Sequence, residues 1–228
     1  MLDRDVNQID PTPENGNAIT PFSAHFAAPN LILLGDPGAG KTALFRQAAD
    51  ASGGEFLTVR QFLNKPVERI PRDRALWIDA LDETRSGRGD QNTVDQVVTK
   101  LEALQPVAVR LSCRAADWLG KSDLAAFKDF FDHNGGAPIV VQLLPLSEVE
   151  QRHILSRNEI EDPGAFLAEA QRRGLNAMLT NPQTLLMLAK TVRGQCWPAT
   201  RAELFEQAVT ILLQEHNDEH GERGLAGC

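Results

Sequence analysis

A glycine-rich segment, a lysine and a hydroxyl residue stand in this sequence at spacings suited to holding phosphate. Residues 35–42 read Gly-Asp-Pro-Gly-Ala-Gly-Lys-Thr and fill every fixed position of the pattern G-x-x-x-x-G-K-[S/T]. Such a segment lets successive backbone N–H groups turn inward onto phosphate oxygens. The helix that follows adds the partial positive charge of its N-terminus. On this reading Gly35, Asp36, Pro37, Gly38, Ala39 and Gly40 form the cradle, Lys41 reaches the β- and γ-phosphates, and Thr42 places its hydroxyl on Mg²⁺. A second stretch, ALWIDALDE, runs from Ala75 to Glu83. It is an apolar strand ending in Asp79, a carboxylate suited to the shell of the same metal. A chance turn and a solvated strand end are the competing readings, and the pairing of the two stretches outweighs both.

These side chains need elements to hold them. Short apolar runs at 31–34, 55–59, 75–79, 107–112 and 138–143 read as strands. Helical stretches at 41–51, 92–104 and 122–131 lie between them, the alternation that gives a parallel sheet with crossover helices. The first helix follows the phosphate loop and stops at Gly53-Gly54. After Pro145 the strands cease, and helices are predicted at 147–158, 163–173, 182–193 and 200–215. Ser147 and Glu150 form a capping-box pair at the start of this part. The expected fold class is α/β: a P-loop domain with about five parallel strands over residues 30–145, then a small all-helical domain over 146–216. Residues 1–29, with four prolines and no sustained period, read as an arm that Phe22 and Phe26 anchor to the body, and 217–228 as a flexible tail.

Composition excludes several classes. The net charge is −8 over 228 residues, without the basic stripe of a nucleic-acid binder, so DNA or RNA is not expected as the main ligand. No apolar run approaches the length of a membrane span. The three cysteines, Cys113, Cys196 and Cys228, are widely spaced, which gives neither a disulfide framework nor a zinc site and suits a reducing, cytoplasmic setting. Cys113 reads as a core residue beside Arg114, and Trp77 and Trp118 as packing. His216 and His220 stand one helical turn apart, but without the Glu directly after the first His they read as a solvated helix end. Arg85 and Arg88 lie in a polar loop beside Asp79, where a mobile loop is the default reading and a finger offered to a neighbouring subunit the alternative.

The acids after Asp79 point to a closer comparison. Ala80 follows Asp79 directly, and Asp82-Glu83 come after Leu81. An apolar strand, Asp, a small residue, an apolar residue and then Asp-Glu is the pattern of the NACHT branch of the STAND signalling NTPases, which this chain resembles over roughly residues 30–215. The resemblance implies that Glu83 or Asp82 positions the attacking water. It gives Arg114, at the end of VAVRLSCR, the place of the sensor that feels the γ-phosphate, and Pro182 of Asn181-Pro182 a place near the adenine, where it helps retain ADP. It further implies ATP or ADP with Mg²⁺, slow hydrolysis, a conformational switch in defence or signalling, and self-association on ATP binding. The effector or sensor partner is left unknown. Family members usually carry an effector in front and a winged helix with a repeat sensor behind; residues 1–29 are short for the first, so an excised core or a minimal form is expected. A non-hydrolysing, ADP-holding scaffold is the alternative, and a P-loop kinase a weaker third.

Overall fold

The structure, a computed structural model, describes residues 3–9, 19–81, 90–118, 121–193, 197, 203 and 206. The chain divides into two compact units, Met1–Leu144 and Pro145–Cys228.

The first unit is built on a seven-stranded sheet. Its strands are β1 (Asp5–Gln8), β2 (Ile19–Pro21), β3 (Asn30–Gly35), β4 (Glu55–Thr58), β5 (Ala75–Asp79), β6 (Ala108–Arg114) and β7 (Ile139–Leu143), in the order β2-β1-β7-β3-β6-β5-β4. The five strands expected from the sequence are all present and run parallel to one another. The two additional strands come from the segment read as an arm. β1 pairs antiparallel with β7 and with β2.

Crossovers carry α1 (Lys41–Ser52), α2 (Val59–Asn64), α3 (Asp90–Leu104), α4 (Lys121–Ala126) and α5 (Lys128–His133), with short 3-10 turns at Phe22–His25 and Val67–Arg69. The stretch 122–131, predicted as one helix, is two, joined at Phe127. Side chains of successive strand residues point to opposite faces, and β3 sorts its leucines accordingly. Leu31 and Leu33 pack with Leu44, Phe45, Ala48 and Ala49 of α1. Ile32 and Leu34 pack with Val94, Val97 and Leu101 of α3 and Phe130 and Phe131 of α5. Both layers bury continuous apolar surface, at about 1.5–3 kcal/mol for each large side chain. On the α1 side the fully buried Trp77 lies 5.2 Å from the Phe45 ring and 5.4 Å from Phe26. Phe22 stacks on Phe45. The two phenylalanines of the arm therefore do anchor it.

The second unit is helical, with α6 (Glu148–Arg157), α7 (Pro163–Arg172), α8 (Asn176–Leu179) and α9 (Pro182–Arg193). The predicted capping box holds: Ser147 N donates to Glu150 Oε2 at 2.7 Å and Glu150 N to Ser147 Oγ at 3.4 Å. Asp162 caps α7 by accepting from Ala165 N at 2.9 Å, with Pro163 in the first turn. Leu155, Phe166, Leu167, Leu179, Leu185 and Leu188 form the separate core of this unit.

Candidate functional site

Parallel α/β sheets place their ligand sites beyond the carboxyl ends of the strands. At that end of β3 the chain leaves Gly35 and turns into α1 through a loop in which Gly38 and Gly40 take left-handed φ values of 73° and 91°. Glycine adopts these without the penalty a Cβ imposes. Gly40 is the N-cap of α1 and no side chain caps that helix. A helix start left uncapped by side chains offers its first N–H groups to an anion. Lys41 folds back over the loop, its Nζ donating to Gly35 O at 2.7 Å and to Asp36 O at 3.1 Å. Asp36, Pro37 and Thr42 are exposed, whereas Ala39 is buried. Space at Gly35 is tight, since an added Cβ would lie 3.3 Å from Leu143 Cβ and 3.4 Å from the Lys41 stem. The cradle, the retracted lysine and the uncapped helix start together fit a bound phosphate chain.

Strand register brings the other predicted groups to the same edge. Gly35 pairs with Arg114 across β3 and β6, and Ile78, one residue before Asp79, pairs with Leu111 across β5 and β6. The phosphate loop, Arg114 and Asp79 therefore stand at the carboxyl ends of three adjacent strands. Arg114 is exposed, and the residue after it, Ala115, donates its N–H to Gly35 O at 3.4 Å.

Asp79 is buried and accepts a hydrogen bond from Ser112 Oγ. The same hydroxyl oxygen accepts from Ala80 N at 3.0 Å, and Ser112 O accepts from Leu81 N at 3.0 Å. Ala80 has a left-handed φ of 67°, a conformation that costs a non-glycine residue about 1–2 kcal/mol. Ser112 thus holds both the carboxylate and the strained turn that follows it. No sequence spacing ties Ser112 to Asp79; its partner on the neighbouring strand emerges from the register.

Behind the site, Arg110 of β6 is almost wholly buried. It donates to Phe26 O at 2.7 Å and Pro29 O at 2.9 Å and lies over the Trp77 ring at 5.5 Å. Burial pushes its pKa down to about 10, so it stays charged at neutral pH and ties the segment entering β3 to the sheet.

Asp82, Glu83, Arg85, Arg88, His216 and His220 lie outside the described residues. Among the described residues no cluster of three His, Cys, Asp or Glu side chains could hold a metal ion. A cation here would rest on Thr42, Asp79 and the ligand's own oxygens. Pro182 is the first residue of α9 in the helical unit, where Asn181 Oδ1 accepts from Gln183 N at 3.0 Å. Cys113 is buried in the core, as read. No described helix is long and apolar enough to cross a membrane.

No family model and no curated protein matches this sequence. Among solved structures, the Thermotoga maritima RuvB Holliday junction branch migration motor is similar at 19% identity and a TM-score of 0.48, over 72% of this chain and 54% of that one. The Aeropyrum pernix ORC1 protein, solved in complex with DNA, is similar at 16% identity and a TM-score of 0.44, over 80% and 59%. A Walker-type ATPase of Pyrococcus abyssi is similar at 11% identity and a TM-score of 0.43, over 86% and 71%. The chain spans little more than half the length of the RuvB protein. What those proteins do stays with them. The fold is an α/β P-loop NTPase fold, on the strength of its own strand order and loop.

Proposed function

We propose that this chain binds ATP or ADP with Mg²⁺ and uses the nucleotide as a conformational switch, with slow hydrolysis. One observation carries the reading: strand register sets the phosphate loop with Lys41, Arg114 and the Ser112-held Asp79 side by side at the ends of β3, β6 and β5. In this reading the backbone N–H groups of Gly38, Gly40, Lys41 and Thr42, at the start of α1, bind the phosphates. Lys41 exchanges the carbonyls of Gly35 and Asp36 for phosphate oxygens, and Arg114 senses the terminal phosphate. Thr42 and Asp79 would hold Mg²⁺, which supplies charge neutralisation at the phosphates. Orientation of the attacking water falls to Glu83 or Asp82. Most catalysis in such sites is positioning and charge stabilisation.

The NACHT-like role, in signalling or defence with self-association on ATP binding, extends this reading by sequence resemblance. The test of the core reading is calorimetry with ATP and ADP on the wild-type chain and on Lys41→Ala. Wild type is expected to bind and the variant to lose affinity by tenfold or more, because the ammonium contributes a charge-assisted bond of about 1.5–3 kcal/mol. Equal affinities would remove the phosphate-loop assignment. The retention role of Pro182 is tested by the ADP dissociation rate of Pro182→Ala: faster release is expected, and an unchanged rate would leave the proline as the start of α9 alone.

A further inference from the structure

The phosphate loop is held from behind by a residue that no sequence motif marks. Arg4 stands one residue ahead of β1 and is 5% exposed. Its guanidinium spans two other segments. Nη1 donates to Ala39 O, inside the phosphate loop, at 3.0 Å, and Nη2 donates to Leu144 O, just past β7, at 2.6 Å. The backbone of Arg4 and its neighbour is fixed as well: Phe22 N donates to Arg4 O at 2.9 Å, and Leu144 N donates to Asp5 O at 3.1 Å.

Ala39 lies between the two left-handed glycines, the softest part of the loop. Its N–H is taken by Asp36 O at 3.1 Å. Its carbonyl is taken by Arg4. A peptide unit is planar and trans, so a carbonyl held on Arg4 aims the Gly40 N–H the opposite way, off the Arg4 side of the loop. Without that hold, the Ala39–Gly40 peptide sits next to a glycine that accepts either sign of φ, and its orientation is free to change.

We propose that Arg4 is a positioning residue for the phosphate site: it sets the Ala39–Gly40 peptide so that the Gly40 N–H is presented to the bound anion. The same fork couples the loop to the docking of β1 and to the end of β7. The guanidinium is suited to this because its nitrogens are fixed in one plane and reach two acceptors at once; a lysine ammonium is a single point charge on a flexible stem. This inference rests on the phosphate-loop reading for its ligand, but not for its geometry.

The experiment measures amide hydrogen exchange of Asp36 and residues 38–42 in nucleotide-free protein, with the amides of β6 as internal reference, for wild type, Arg4→Lys and Arg4→Ala. Equilibrium binding of ATP is measured on the same three proteins. Arg4→Ala is expected to speed exchange in the loop about tenfold relative to β6 and to weaken ATP by a similar factor, as loss of one charge-assisted bond would. Arg4→Lys is expected to fall between, and it carries the test alone where Arg4→Ala fails to fold. Unchanged loop exchange overturns the inference. So does a rise shared equally by the loop and β6, which would make Arg4 a general stabiliser. A wild-type protein that binds no nucleotide would remove the phosphate-loop reading, while the exchange comparison would still decide the role of Arg4.

Discussion

At the scale of single residues, Ser112 ties Asp79 to the turn that follows it. The hydroxyl donates to a buried carboxylate and accepts from the N–H of a strained alanine. Removing it leaves a buried carboxylate and a part-buried N–H without this partner, at about 1–3 kcal/mol for the buried group. Ser112→Ala is expected to lower stability in denaturant unfolding by at least that amount for one group. It should also weaken ATP more with Mg²⁺ present than with EDTA, because in the proposed site the carboxylate acts through the metal. Equal losses in both conditions would separate Asp79 from the metal. Much of this site was legible in the sequence. Gly35, Lys41, Thr42 and Asp79 are fixed by local spacing, and local spacing is what a sequence displays. Ser112 and Arg4 act across 33 and 35 residues respectively, and their partners exist only once the strands are paired.

The elements show the same division. Of the five parallel strands, β3, β5 and β6 were readable as largely apolar runs buried on both faces, as parallel strands are, and β4 and β7, only partly buried, by their shorter apolar runs. β1 and β2 were not. Asp-Val-Asn-Gln and Ile-Thr-Pro have no apolar run, and they become strands by pairing beyond β7, where only Val6 needs burial. α2 did carry a signal: Thr58 and Gln61 form a capping box, with Gln61 N donating to Thr58 Oγ1 at 3.2 Å and Thr58 N to Gln61 Oε1 at 3.0 Å. The unbroken apolar period of 122–131 concealed the break at Phe127. One element junction is tight enough to predict from. An added Cβ at Gly54, just before β4, would fall 2.5 Å from Trp77 Nε1 and 2.9 Å from the Ala75 carbonyl oxygen. Gly54→Ala is expected to lower stability by about 1–3 kcal/mol through overpacking. A thermal melt matching wild type would show that Trp77 yields.

For the molecule as a whole, stability should depend on the pH through His25. The imidazole is buried in the 3-10 turn before β3, with Nε2 2.9 Å from Thr20 Oγ1, and burial lowers its pKa from 6.5. The unfolded chain therefore takes up the proton first. The stability tied to the neutral ring is fully present above pH 6.5 and is lost as the pH falls from there through the lowered folded-state value. Urea midpoints measured from about pH 7.5 to about pH 5.5 are expected to fall more steeply for wild type than for His25→Gln. Parallel slopes would clear His25 of the effect.

The pairing of β1 with β7 also orders events in time. Arg4 and Leu144, joined in the finished sheet, are 140 residues apart in the chain. At roughly 5–20 residues per second, the ribosome releases the second on the order of ten seconds after the first. Throughout that interval β1 has only β2 to join, and Arg4 lacks the β7 end on which its second contact rests. The phosphate loop itself is made early, yet its brace arrives only with β7. A nascent chain halted before residue 139 would carry the phosphate loop and Asp79 and still be expected to grip phosphate poorly, which in the proposed reading makes the nucleotide a ligand of late folding.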